Sequence, residues 1–390
     1  MRVLICGGGI AGLTLAYWLH HYGFEPVVIE QTVGIRRDGY GLDFYGSGYD
    51  VAERMNLIER LQAEQIRIDA IIYVNSAGKP VARIDRALMY KIMRGRYMGL
   101  MRQKLEATLY EAIAGDVEVQ FGRSLVDVQQ DQEAVSVTFN DGTTETCDLL
   151  AGADGIHSTT RKLVFGPEEQ FGRYLGYYFA SYALPDRYGI GLTWKNYPEP
   201  GRMAAAYCSD TEGEVITLFM YEAANEGYIA REQRLPRLRQ AFAGMGWIAG
   251  QLLDDIPDPD AIFMDTVTQI KMPEWHKGRV VLVGDACGCP TLLSGQGASL
   301  AMGGAYMLAK ALYETTDYQH AFRQYELQVS PHVEERQKNA RDLARSFVPH
   351  SKMEMKMQQV FMKLVLREVF VGLLRRQFGA ESLLRVQDSR

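Results

Sequence analysis

The feature that most constrains this chain lies at its start. Gly7-Gly8-Gly9-Ile10-Ala11-Gly12 joins Arg2–Cys6, a short apolar run, to Leu13–His21, a run with helical spacing. Pro26–Glu30 follows as a second apolar run, so the opening reads as strand, glycine turn, helix and strand, a β-α-β unit. Each glycine has work in such a unit: one makes the tight turn, one lets backbone approach a diphosphate, and one lets helix pack on strand. The helix N-terminus then offers unpaired N–H groups and a positive dipole end to phosphate. Glu30 ends the second strand, about twenty residues on, where a carboxylate accepts hydrogen bonds from a ribose. Gly7, Gly9, Ile10, Ala11, Gly12 and Glu30 are therefore predicted to hold a dinucleotide. The pattern does not distinguish one dinucleotide from another. The segment Met1–His20 has an early Arg2 and a long apolar stretch, as a signal peptide does, but its four glycines and missing small-residue cleavage site favour strand, turn and helix.

A chain of 390 residues exceeds what one compact core usually fills, so two lobes are expected. With 42 basic and 48 acidic residues the net charge is −6, which supplies no footprint for nucleic acid. Five cysteines, odd and sparse, argue against a disulfide framework and for a reducing, cytoplasmic setting. No run of about eighteen apolar residues occurs, so no membrane span is predicted.

The remaining pattern predicts an α/β fold. Leu100–Ile113 reads as an amphipathic helix, and Ser124–Gln129, Ala134–Asn140 and Thr144–Ala151 read as strands, with an Asn140-Asp141-Gly142 turn between the last two. Tyr174–Leu184, Met203–Cys208, Val215–Tyr221 and Ile262–Ile270 then form a strand-rich, tyrosine-rich middle with one helix near Leu235–Met245. Arg279–Val283 returns to a buried-strand pattern, and helices run from Gly297–Tyr313 to the C-terminus. The expected organisation is a discontinuous Rossmann-like lobe (1–170 and 272–330), a β-sheet domain (171–271) and C-terminal helices (331–390).

Two further blocks carry chemistry. Gly152-Ala153-Asp154-Gly155-Ile156-His157-Ser158-Thr159-Thr160-Arg161 follows the strand ending at Ala151. Gly284-Asp285-Ala286 follows another strand, and Gly295-Gln296-Gly297 opens a helix. An aspartate at a strand end can bind a ribityl chain, and a glycine-rich helix start can face a phosphate or an electron-rich ring. In this order and spacing the three blocks resemble the class A flavoprotein monooxygenases, the p-hydroxybenzoate hydroxylase type, over Arg2 to about Leu312. The resemblance implies FAD as cofactor, NADPH or NADH as exchangeable reductant without a domain of its own, and O2 as co-substrate. It further implies a small aromatic or enolic substrate, a sheet domain that binds it, and a monomer or homodimer. By the same resemblance Asp154, Gly155, Asp285, Gly295, Gln296 and Gly297 contact cofactor, and Arg102 matches the family's flavin-contacting arginine. Gly39-Tyr40-Gly41-Leu42-Asp43 and Cys289-Pro290-Thr291-Leu292-Leu293-Ser294 are similar to the tetracycline-inactivating branch, which implies a nicotinamide-nucleotide contact at Arg36 and a flavin contact at Asp43. Two departures fall beside the reactive edge of the flavin: Cys287-Gly288 replace the usual Ala-His, and Leu292 stands where a proline is usual.

Cys287-Gly288-Cys289 lacks further ligands at metal spacing, so it reads as small buried residues and no metal is expected. His157 reads either as a cofactor or reductant contact or as an orienting group for its loop. The tyrosines at 174–182 suit an aromatic pocket and suit sheet packing equally. Val360–Leu374 reads as a helix packed against the body or a second subunit, with a membrane surface as the alternative, and the methionines Met353, Met355, Met357 and Met362 read as core filler, with a lid over a bulky ligand as the functional alternative. No side chain need be a nucleophile, because the cofactor carries the chemistry, and no catalytic residue is assigned. The function expected from the resemblance is hydroxylation of a phenolic or enolic polycycle, possibly a tetracycline-like antibiotic. Two alternatives are a tailoring hydroxylase of aromatic polyketides or other secondary metabolites, and a flavin-binding protein that sequesters a ligand without turnover.

Overall fold

The computed structural model describes residues 1–35, 39–365 and 382–384, so Arg36 and most of Val360–Leu374 lie outside the described residues. Among the described residues the strands form four sheets. The first runs His276–Lys277, Val280–Leu282, Leu149–Gly152, Arg2–Cys6, Glu25–Glu30, Glu118–Phe121, and all its pairings are parallel except the first. Its strands are buried from both faces, as parallel strands require, and Val3, Leu4, Ile5, Val28 and Leu150 are at most 1% exposed. The helix Ile10–His21 covers one face and packs against Gly297–Glu314, so both ends of the chain build this lobe.

The predicted strand Thr144–Ala151 is two strands. Thr144–Cys147 joins the antiparallel sheet with Val135–Phe139 and Leu125–Gln130, whereas Leu149–Gly152 enters the parallel sheet. Asp148 makes the crossing: its carboxylate accepts from Arg2 N at 2.6 Å, and its own N–H donates to Arg2 O at 3.0 Å. Apolar periodicity runs through both pieces and cannot reveal a change of partner.

The middle sheet has seven strands, in the order Phe263–Ile270, Gly172–Pro185, Glu214–Glu222, Arg202–Cys208, Thr193–Glu199, Ala70–Val74, Pro80–Asp85. Its last two strands come from far upstream, on the other side of residue 170. Directly paired residues share a face, so Tyr177, Phe179, Met203, Ala205 and Met220 lie together with Leu293, Ala344 and Val348, toward the first lobe. Tyr178, Tyr182 and Phe219 line the opposite face under Leu238, Phe242 and Leu252. The helix expected near Leu235–Met245 spans Arg231–Ala241. No helix begins at Pro331; one helix runs Tyr318–Phe347 straight through it. Proline there removes one N–H, and the carbonyl four residues earlier belongs to Leu327, which is 68% exposed. Among the described residues no helix is long and apolar enough to cross a membrane.

Candidate active site

The glycine turn has the geometry its spacing requires. Gly7 has φ +114°, and a Cβ there would stand 2.5 Å from Ala153 O; a Cβ on Gly12 would stand 1.9 Å from Gly7 O. No side chain can occupy either position. Gly9 caps the helix Ile10–His21 without a side chain, and the N–H groups of Ile10, Ala11 and Gly12 open that helix unpartnered within it. Glu30 ends its strand with Oε2 accepting from Gly8 N at 2.8 Å and Oε1 from Thr32 N and Oγ1 at 2.9 Å each. Gly8, Gly9, Glu30, Thr32, Ile35 and Glu106 line a hollow of about 210 Å³ at this end.

From Glu30 the candidate residues follow one another in an arc. Arg102 opens the helix Arg102–Glu111, where its Nε donates to the buried Glu106 Oε1 at 2.9 Å, and its Nη2 lies 3.9 Å from where a Gly9 Cβ would be. Burial pulls the Arg102 pKa down, but Tyr40, Glu106 and Asp285 outweigh it and the value stands above the usual one. Asp285 follows the strand Val280–Leu282, and Gly284 takes φ +66° just before it. Burial raises the Asp285 pKa, against the opposing charge of Arg102 and a hydrogen bond from Cys289. Asp285 Oδ1 lies 3.9 Å from a Cβ position on Gly297, and Asp43 Oδ2 lies 3.5 Å from one on Gly295. Asp43 sits in the strand Gly41–Tyr45, accepts from Tyr97 Oη at 2.6 Å, and has its pKa raised by burial. Tyr45 contacts Gln296 on the same turn.

An acid at one end, bare helix N-terminal amides with an arginine in the middle, and two acids beside a second glycine-rich helix start make an elongated cradle. Its parts fit a dinucleotide: carboxylates suit ribose and ribityl hydroxyls, while amides and guanidinium suit a diphosphate. The residues fit FAD on this ground alone.

The second block has a different geometry from the other two. Asp154 Oδ1 accepts from Ser158 Oγ at 2.5 Å, and Oδ2 accepts from Thr160 N at 2.8 Å and Oγ1 at 3.0 Å, so this carboxylate braces the start of the helix Thr159–Val164, which Ser158 caps by accepting from Arg161 N. Gly155 follows at φ +79°. Arg161, fully buried, is the side chain that motif spacing did not single out. Its Nη1 donates to Ala286 O at 3.0 Å, and its Nη2 donates to Ile156 O at 2.6 Å and to Glu168 Oε2 at 2.8 Å. It therefore ties the second block to the third. His157 resolves as an orienting group: Nδ1 meets Glu168 Oε1 at 3.0 Å and Nε2 meets Asp265 Oδ2 at 3.1 Å, on the middle sheet. Those two hydrogen bonds push its pKa up to about 10.

The loop after Asp285 is held under strain. Thr291 has φ +109°, a conformation that costs a β-branched residue about 1–3 kcal/mol unless its surroundings impose it. Gln269 Nε2 donates to Pro290 O at 3.2 Å, and Gln337 Nε2 donates to Cys289 O at 3.1 Å and Ile270 O at 2.7 Å. These two buried amides, one on the middle sheet and one on the long helix, fix the loop where the departures from the family pattern fall. Cys287 and Cys289 are buried free thiols with pKa values raised mainly by burial. Tyr174, Tyr178 and Tyr182 donate to the carbonyls of Ala223, Gly227 and Leu252 at 2.9–3.0 Å, away from the first lobe, so they are packing residues.

Known proteins agree with this geometry. The family model described as "FAD binding domain" matches residues 1–339. A flavin-dependent monooxygenase of Legionella longbeachae is 32% identical over 352 residues, covering 89% of this chain and 90% of that protein. An FAD-dependent monooxygenase of Sarocladium schorii, asL4, is 29% identical over 336 residues, covering 79% and 75%. The crystal structure of tetracycline destructase Tet(55) superposes with a TM-score of 0.84 at 29% identity, covering 98% of this chain and 97% of the other. The chain belongs to the FAD-binding-domain family and is an FAD-dependent monooxygenase of the class A type.

Proposed function

We propose that this enzyme uses NAD(P)H and O2 to hydroxylate a phenolic or enolic polycycle, with tetracycline-like compounds as the leading class. The observation that carries the reading is the sheet face toward the cofactor lobe, where Tyr177, Phe179, Met203, Ala205 and Met220 form an apolar, aromatic patch with Leu293. Such a patch suits a flat ring system. The likeness to Tet(55) supports the same class.

When bound, FAD supplies hydride acceptance and oxygen activation. The chain's part is to bind, orient and keep the site dry. Glu30 would take the adenosine ribose, the amides of Gly9–Gly12 with Arg102 the diphosphate, Asp285 the ribityl chain, and Asp43 with Gly295–Gly297 the ring system. The N-terminus of Gly297–Glu314 favours negative charge on that ring. Arg161 holds the third block against the second, and Gln269 and Gln337 hold the strained loop against the middle sheet. A screen of tetracyclines and other phenolic polycycles, reading NADPH and NADH consumption by FAD-loaded protein, tests the proposal. Stimulation by none of them removes the substrate class.

A further inference from the structure

We propose that Arg336 is the docking cation for an oxyanion of the substrate, an enolate or phenolate oxygen. The inference rests on the oxygenase reading above and adds a recognition residue to it. Arg336 lies on the helix Tyr318–Phe347, one turn after the buried Val333 and next to the buried Gln337. Its neighbour Gln337 clamps Cys289, and further along the helix Ala344 and Val348 pack with the apolar sheet face. The helix that carries Arg336 thus also holds the strained loop and meets the sheet face. The side chain is only 12% exposed, yet its Nε is buried with no hydrogen-bond acceptor among the described residues. Its ion pair is with the adjoining Glu335, at 3.4 Å, a side chain 59% exposed and so largely solvated. Tyr45, which contacts Gln296 at the glycine turn, feels the Arg336 charge.

A half-satisfied buried guanidinium is costly, so an oxyanion that completes it is favoured. Arginine's planar fork suits an oxygen whose charge is delocalised across neighbouring carbonyls. Arg336 would give the apolar patch a charged contact, and so select the ionised form of an enolic ring.

The test uses FAD-loaded enzyme and two probes: tetracycline, whose tricarbonyl enol is ionised at neutral pH, and the same molecule methylated on that enol oxygen. Binding is followed by perturbation of the flavin spectrum without reductant. Wild type should prefer the ionised probe. Arg336→Gln should weaken that probe by roughly 10- to 100-fold, the effect of losing a charge-assisted hydrogen bond, and leave the ether unaffected. Arg336→Lys, which keeps the charge without the fork, should lose less, and it carries the comparison if the glutamine variant does not fold. An unchanged ratio of the two dissociation constants in both variants overturns the assignment. So does a loss of FAD affinity or a shifted flavin potential with ligand binding intact, since the cation would then serve the cofactor. If wild type binds both probes equally, only the Arg336 role falls; if it binds neither, the tetracycline reading falls with it.

Discussion

Replacing Arg161 by methionine probes how the cofactor lobe is held together. Methionine keeps most of the apolar stem, so the cavity contribution is small and the loss is electrostatic. Arg161 is 0% exposed, and its removal strips donors from Ala286 O and Ile156 O. A buried acceptor left unpaired costs about 1–3 kcal/mol, but Ile156 O is only part-buried and removing the charge relieves its desolvation, so the net loss is about 2 kcal/mol. Glu168 adds little, because it is 34% exposed and keeps its contact to His157. At roughly 2 °C per kcal/mol for a chain of this size, the melting temperature should fall by about 4 °C. FAD affinity should fall as well, because Ala286 directly follows Asp285. Differential scanning fluorimetry of FAD-free and FAD-loaded protein, with flavin fluorescence for affinity, reads both effects. A methionine variant that melts within about 1 °C of wild type and binds FAD equally would refute the tether.

Other outcomes follow from single sites. Asp285→Ala should purify folded but without stoichiometric FAD, and a yellow variant at full occupancy would misplace that aspartate. His157 has its pKa raised from 6.5 to about 10 by Asp265 and Glu168, so its stabilisation is full below pH 6.5 and is lost as pH rises through 10. The melting-temperature gap between wild type and His157→Gln should therefore be widest near pH 6 and close by about pH 10.5; a gap that widens with pH contradicts the contact. Because the imidazole is 58% exposed, the gap should correspond to less than about 1 kcal/mol. All five cysteines are buried and free, so a thiol reagent should react slowly with native protein and fully after denaturation. Fast labelling of Cys287 or Cys289 would mean that the loop opens.

The cofactor lobe was legible because its signals are local. A glycine that cannot bear a side chain, an acid at a strand end and a buried apolar run lie within about thirty residues of one another, and Gly7, Gly12 and Glu30 have the geometry their spacing implies. What escaped notice depends on distant partners. Ala70–Val74 pairs with Thr193–Glu199, more than a hundred residues away, and nothing in its own residues names that neighbour. The tyrosines of Gly172–Pro185 alternate correctly for a strand, but which face meets the cofactor lobe is set by the helices that cover the other. Arg161, Arg336 and Gln337 are polar residues in helices, which read as solvent-facing until the fold buries them. Arg161 stood inside a quoted motif and could have been found there, since an arginine at a motif's end has to go somewhere.

The most direct measurement is the fate of isotopically labelled dioxygen. FAD-loaded enzyme is supplied with NADPH, heavy O2 and the polycycle that best stimulates turnover, and the product is weighed by mass spectrometry. A product carrying one heavy oxygen atom, formed at one equivalent of NADPH consumed, is the expected result. NADPH oxidation that yields only hydrogen peroxide, or an oxygen drawn from water, would contradict the oxygenase reading of this site.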